Sequence, residues 1–209
     1  MNRYVKYLLL IVVIGLVAYK SVYVKKLSEM KVAADEKFDA VAFSKKLWEE
    51  KLPARISNAV DLSTFIKVAQ SNPADAFSKY SNALGIGNYR YALIRAEGVV
   101  TTINEDDITL QVKLNDSLMT TKLATEFIYG NAIRDASGLV DVKDFPNTMD
   151  LNNISEELNK MVRKIVLPPF KTTVKKGDKV IVTGAIEIHK EHIKWSELEI
   201  IPVQLQIVQ

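Results

Sequence analysis

The spacing of apolar residues changes period at Tyr89: ahead of it they recur every three or four positions, beyond it every second position. DITLQVKL (107–114) puts Ile108, Leu110, Val112 and Leu114 on one face and predicts a half-buried strand. YRYALIRAEGVVTTI (89–103) predicts a longer strand, with Gly98 inviting a bulge or bend. After the turn signal Asn115-Asp116-Ser117, LMTTKLA (118–124) is a weaker third strand. Two more follow: KVIVTGAIEI (179–188), with Val180, Val182, Ile186 and Ile188 aligned, and IKWSELEIIPVQLQIV (193–208), where Val203, Leu205 and Ile207 alternate with Gln204 and Gln206. Between the third and fourth strands, NISEELNKMVRKI (153–165) repeats Ile154, Leu158, Met161, Val162 and Ile165 at helical spacing, and LPPF closes it. Its acids come early and its bases late, matching the helix dipole.

Three strands, a helix and two strands define an α+β class with the order of an OB-like five-stranded β-barrel, one helix lying between strands three and four. The body ahead of Tyr89 predicts short helices. Phe43, Leu47 and Trp48 share a face before Pro53 breaks or bends the run. Leu62, Phe65, Ile66 and Ala69 follow Asp61 as a cap, and Asn72-Pro73 starts another helix. The expected domains are therefore a signal anchor over 1–26, a stalk over 27–37, a helical segment over 38–83 and the OB-like domain over 84–209.

The N-terminal run YLLLIVVIGLVAY (7–19) has thirteen uncharged residues, about 20 Å of helix against a hydrocarbon layer of roughly 30 Å. No small-x-small cleavage site follows, and apolar residues resume after Lys20, so residues 5–24 reach about 30 Å. The expectation is an uncleaved membrane anchor with the body outside the cytoplasm; a removed signal peptide is the alternative.

Charge narrows the partners. The first 37 residues hold seven of 28 basic and three of 25 acidic side chains, leaving 21 against 22 in the body. A neutral body lacks the basic patch that nucleic acid needs, so no nucleic acid is expected, although Tyr89, Tyr91 and Trp195 could stack bases if the barrel bound a single strand. There is no cysteine, which removes disulfides, thiolate nucleophiles and cysteine-ligated zinc.

Candidate chemistry concentrates in GNAIRDASG (130–138), where two glycines bracket Arg134 and Asp135. In an extended segment these neighbours point opposite ways and cannot pair. Either Asp135 caps a turn and Arg134 pairs with Asp141 or Asp144, or Arg134 faces a groove and holds an anionic or hydroxyl-rich ligand. No nucleophile and base recur at a recognisable spacing, so the chain is expected to be a binding protein rather than an enzyme; an envelope hydrolase or transferase using Asp135 and Asp144 is the alternative. His189 and His192 flank a hairpin tip, and a two-residue turn at Lys190-Glu191 would make them cross-strand neighbours; without a fixed third ligand no metal site and no cofactor is expected. Acids at 105–107 read as a turn and those at 155–158 as a helix start.

LW at 47–48, YGNAIRDASG at 129–138, DFPN at 144–147, EELN at 156–159, VTGAIEI at 182–188 and IIPVQL at 200–205 together resemble the predicted periplasmic lipoproteins of domain-of-unknown-function family 2291. The resemblance implies a tethered periplasmic protein on the bacterial inner membrane with no established activity, beside sugar-uptake ABC transporters. A small polar ligand or saccharide, or a transporter or envelope protein, is the implied partner. Gly130, Arg134, Asp135, Phe145 and Asn147 match its loop pattern and are the candidate ligand or partner surface. The sequence departs in lacking a lipobox cysteine, which leaves the apolar segment as the anchor.

Overall fold

The structure, a computed structural model, describes residues 3–21, 38–85, 87–114 and 117–208. The chain divides into two units, Met1–Phe38 and Asp39–Gln209. In the first, α1 (Arg3–Ser21) carries the apolar run. Residues 22–24 of the expected anchor and the whole expected stalk lie outside the described residues, and among the described residues no helix is long and apolar enough to cross a membrane. Lys6 and Lys20 confine the uncharged part of α1 to thirteen residues, about 20 Å and short of a bilayer core.

The second unit opens with α2 (Ala40–Lys46), where the Asp39 carboxylate accepts the Ala42 N–H at 2.9 Å. The expected interruption at Pro53 takes the form of a π turn, Leu47–Lys51, leading into α3 (Leu52–Ser57). The Leu52 N–H bonds the Leu47 carbonyl five residues back, and the wider turn leads the helix into a proline that has no N–H to offer. Next come β1 (Val60–Asp61), α4 (Leu62–Ser71), α5 (Pro73–Tyr80) and β2 (Ser81–Asn82). Asp61 and Asn72 cap the two helices as expected, accepting the Thr64 and Asp75 N–H groups at 3.1 and 3.3 Å. The two short strands are additions to the sequence reading; two residues cannot display an alternation.

Four long strands follow the expected boundaries closely, β3 (Tyr89–Ile103), β4 (Asp107–Leu114), β5 (Ser117–Ala124) and β6 (Lys179–His189), while β7 (Glu199–Val208) begins six residues later than expected, after a 3-10 turn at Trp195–Glu197. β3 pairs with β4, β4 with β5, β5 in parallel with β7, β7 with β6 and β6 again with β3, so the pairings close a circuit. β2 and β1 pair with β3 at residues 91–95, along the part of its edge that β4 does not reach. The bulge in β3 falls at Thr101, where the register with β4 shifts, and its hydroxyl bonds the Thr109 carbonyl at 3.1 Å. Gly98, the expected bulge, instead permits close approach: a Cβ there would stand 3.0 Å from the Gln111 carbonyl oxygen.

Ala92, Ile94, Ala96, Val100, Ile108, Leu110, Val112, Leu123, Val180, Val182, Ile186 and Ile188 point into one core, completed by Leu62, Phe65, Ile66, Ala69 and Phe77 from α4 and α5. Gly184 sits among the inward positions of β6 because no side chain fits; its Cβ would lie 2.5 Å from Ile200 Cγ2 and from the Ile201 carbonyl. The β6–β7 register shifts there, opposite Pro202, which a continuous ladder would not accept.

Between β5 and β6 the chain forms α6 (Ala132–Ser137), α7 (Thr148–Met161), a second π turn (Val162–Val166) and α8 (Leu167–Lys171). The expected irregular loop at 130–147 is thus partly helical, and the expected helix starts earlier, at Thr148. Glu156 and Glu157 are mid-helix, bonded to Arg163 and Lys160, rather than a helix start. LPPF does not close the helix, because the π turn shifts the backbone register before Pro168 and Pro169. α6 packs between β3, β6 and α7, and α2 packs on α7.

Candidate functional site

The loop singled out by its Arg-Asp pair folds back on itself. Because residues 132–137 are helical rather than extended, adjacent side chains lie about 100° apart and can meet. Arg134 Nε donates to Asp135 Oδ1 at 2.7 Å, so the expected partners Asp141 and Asp144 are not used. Arg134 is 6% and Asp135 4% exposed. Arg134 Nη1 donates to the Leu151 carbonyl of α7 at 2.9 Å, and Asn131 Nδ2 donates to Asp135 Oδ2 at 2.6 Å. The Tyr91 hydroxyl of β3 reaches Asn131 Oδ1 at 3.4 Å. Burial, with Glu187 nearby, pushes that phenol up to about 12, so it stays a neutral donor.

The other expected residues surround this pair without joining it. Gly130 adopts φ +78° and its carbonyl accepts the Asn159 amide at 2.8 Å, tying the loop to α7 a second time. Asn147 is the N-cap of α7, accepting the Asp150 N–H at 2.9 Å. Phe145 meets Phe43 of α2 edge-on, with ring centres 5.6 Å apart. Gly138 ends α6 at φ +60°. These contacts pin the loop to α2 and α7, and the Tyr91–Asn131 bond joins it to the sheet. Asp135 and Asp144 do line one hollow of about 330 Å³ with Asp141 and Gly138, but both Asp135 oxygens are already bonded.

His189 and His192 stack 5.0 Å apart, with Tyr89 edge-on to His189 at 5.1 Å. β6 ends at His189 and β7 begins at Glu199, so the two histidines are not partners across a two-residue turn. Among the described residues no group of three or more His, Asp or Glu could hold a metal ion. Nor do the three aromatics form a stacking platform: Tyr91 is buried, and Trp195 packs against Phe65 at 6.3 Å.

A better receptacle lies on the outer face of β3, β6 and β7. Arg95, Thr183 and Gln204 stand side by side across the three strands, and Ile181 and Gln206 form the next row. Trp48 from the first π turn and Leu52, Pro53, Ile56 and Ser57 from α3 make the facing wall, enclosing about 450 Å³. That volume suits a small solute. Among the described residues nothing pairs with Arg95, which is exposed and the sole charged residue of this lining. An indole face, two free amides and a guanidinium are groups that grip a hydroxyl-rich ring. Sequence reasoning missed the site because Trp48 counted as packing and Gln204 and Gln206 only as the outward half of an alternation. A signal was available in Arg95, a cation between Ile94 and Ala96 in mid-strand.

The chain belongs to domain-of-unknown-function family 2291, described as predicted periplasmic lipoproteins, whose sequence model matches residues 12–206. Membership makes this an envelope-associated protein facing the periplasm, and it is α+β with an OB-fold relative. That relative, an OB-fold protein from Thermotoga maritima solved by crystallography, has a TM-score of 0.71 and 29% identity over 82% of this chain and 99% of its own. The S. pombe Stn1–Ten1 complex aligns at a TM-score of 0.27 and 12% identity, over 66% of this chain and 75% of its own. No curated protein matches the chain.

Proposed function

We propose that this protein is a tethered periplasmic module that binds a small polar solute, a saccharide above all, without transforming it, and serves a transporter or envelope partner. The observation that carries the reading is the hollow at Trp48, about 450 Å³, which the indole lines together with the Arg95 guanidinium and the Gln204 and Gln206 amides, polar groups without a partner among the described residues. Of the two acids that the catalytic alternative would use, Asp135 is buried with both oxygens hydrogen-bonded, while Asp144 is exposed. The apolar run of α1 is the natural tether, since the sequence holds no cysteine for a lipid to attach to.

Isothermal titration of the full chain in detergent against a panel of monosaccharides, amino acids and inorganic anions tests this. At least one sugar should bind, and Gln204→Ala combined with Gln206→Ala, both exposed, should weaken it about tenfold by removing two hydrogen-bonding groups. A panel without any binder, or an affinity unchanged in the double variant, would rule the hollow out.

A further inference from the structure

Resting on that reading of the hollow, we infer that its ligand is an acidic sugar: a monosaccharide ring carrying one anionic group, carboxylate or phosphate, held by Arg95. The argument is the charge balance of the outer face of the sheet. Two grooves share that face. The one beside the hollow, about 560 Å³, is lined by Asp61, Glu97, Lys113 and Lys179, two acids against two bases. The hollow itself carries Arg95 and no acid.

The acids that could neutralise Arg95 are its neighbours on the sheet, and neither does so. Asp61 stands opposite it in the β1–β3 pair, but Asp61 Oδ1 accepts the Ser63 hydroxyl and the Thr64 N–H, so it is committed to capping α4. Glu97 is two residues along β3 and lines the other groove with the lysines. Among the described residues Arg95 makes no ion pair, although both acids stand close by. A guanidinium presents a planar fork of donors suited to a carboxylate or phosphate, and charge-assisted bonds of this kind are roughly twice as strong as neutral ones. Trp48 lines the same hollow and supplies aromatic surface for a sugar ring, and Thr183, Gln204, Gln206 and Ser57 provide donors and acceptors for its hydroxyls.

The position of Trp48 strengthens the assignment. It sits in the π turn Leu47–Lys51, a distortion that widens the helix by one residue per turn and recurs at binding sites. The turn therefore sets where Trp48 projects as well as admitting the proline.

The test compares glucuronate, glucose 6-phosphate and glucose by isothermal titration on the full chain in detergent, with Arg95→Gln and Arg95→Lys alongside. Wild type should bind at least one of the two acidic sugars about tenfold or more tightly than glucose. Arg95→Gln should erase that preference while keeping the affinity for glucose, and Arg95→Lys should keep part of it. Lys113→Gln with Lys179→Gln, in the neighbouring groove, should leave it intact. Arg95 is exposed, so unchanged melting curves are expected for its variants. Equal affinities for the three sugars, or a preference that survives Arg95→Gln, would overturn the acidic ligand while leaving the hollow as a neutral-sugar site. Loss of the preference in the Lys113–Lys179 variant would move the anion to the other groove. Absence of binding by both acidic sugars would overturn the inference, whereas the reading it rests on falls only if the wider panel of sugars, amino acids and anions also holds no binder.

Discussion

Replacing Asp135 by Ala removes the one ion-pair partner that Arg134 has among the described residues, at a buried position. Arg134 is 6% exposed, and its Nε loses the 2.7 Å contact to Asp135 Oδ1, while the bond from Nη1 to Leu151 remains. Breaking a buried ion pair from one side costs about 3–5 kcal/mol because an uncompensated charge is left behind. The Asn131 amide also loses its acceptor, a further cost of about 1–3 kcal/mol that will overlap with the first. In a folding unit spanning Asp39–Gln209, each kcal/mol moves the melting temperature by about 2–4 °C, so a fall of roughly 6–20 °C is expected. The double replacement Arg134→Met with Asp135→Leu removes both charges together and should recover much of that loss. Urea unfolding followed by circular dichroism, run as a double-mutant cycle, gives the coupling directly; it should exceed about 2 kcal/mol. A loss under about 1 kcal/mol for Asp135→Ala, or strictly additive variants, would refute the pin and return the pair to the list of ligand-facing groups.

Four other consequences follow from named contacts. Partial burial at the β5–β7 seam lifts the Glu199 carboxyl above its ordinary range, so its neutral form is favoured by folding and that stability is lost as pH rises through the folded value. Glu199→Gln should therefore raise the melting temperature at pH 7, with the gain vanishing in acid below the unfolded carboxylate range; thermal melts across pH check the sign. Asp107 runs the other way, held low by hydrogen bonds from Lys122 and Asn104, so Asp107→Asn should destabilise at pH 7 and lose its effect as pH falls through the folded value. Gly184→Ala places a methyl 2.5 Å from a backbone oxygen and should cost at least about 1–3 kcal/mol in urea unfolding. Asn147→Ala removes the cap of α7 and should cost about 1 kcal/mol, with ligand binding unchanged.

The strands were legible because alternation is a local signal: Ile108, Leu110 and Val112, or Val180 and Val182, declare a face without help from the rest of the chain. The closed circuit was legible through strand order alone. What escaped were features decided by neighbours distant in sequence. Whether Arg134 and Asp135 can meet depends on six residues being helical, which their packing between the sheet and α7 decides. Prolines at 53, 168 and 169 predicted breaks, and the chain absorbed them with π turns that have no composition signal. The hollow was hardest to see, since Arg95 and Gln204 are brought together by the β3–β6–β7 register while Trp48 comes from a π turn far away in sequence.

The most direct test of where this protein binds is amide hydrogen exchange of the full chain with and without saturating sodium glucuronate. The account predicts added protection at 47–57, 181–183 and 203–206, the walls and floor of the hollow, with 130–147 unchanged. Protection centred on 130–147, with the hollow unaffected, would contradict it and make the Arg134–Asp135 loop the binding site.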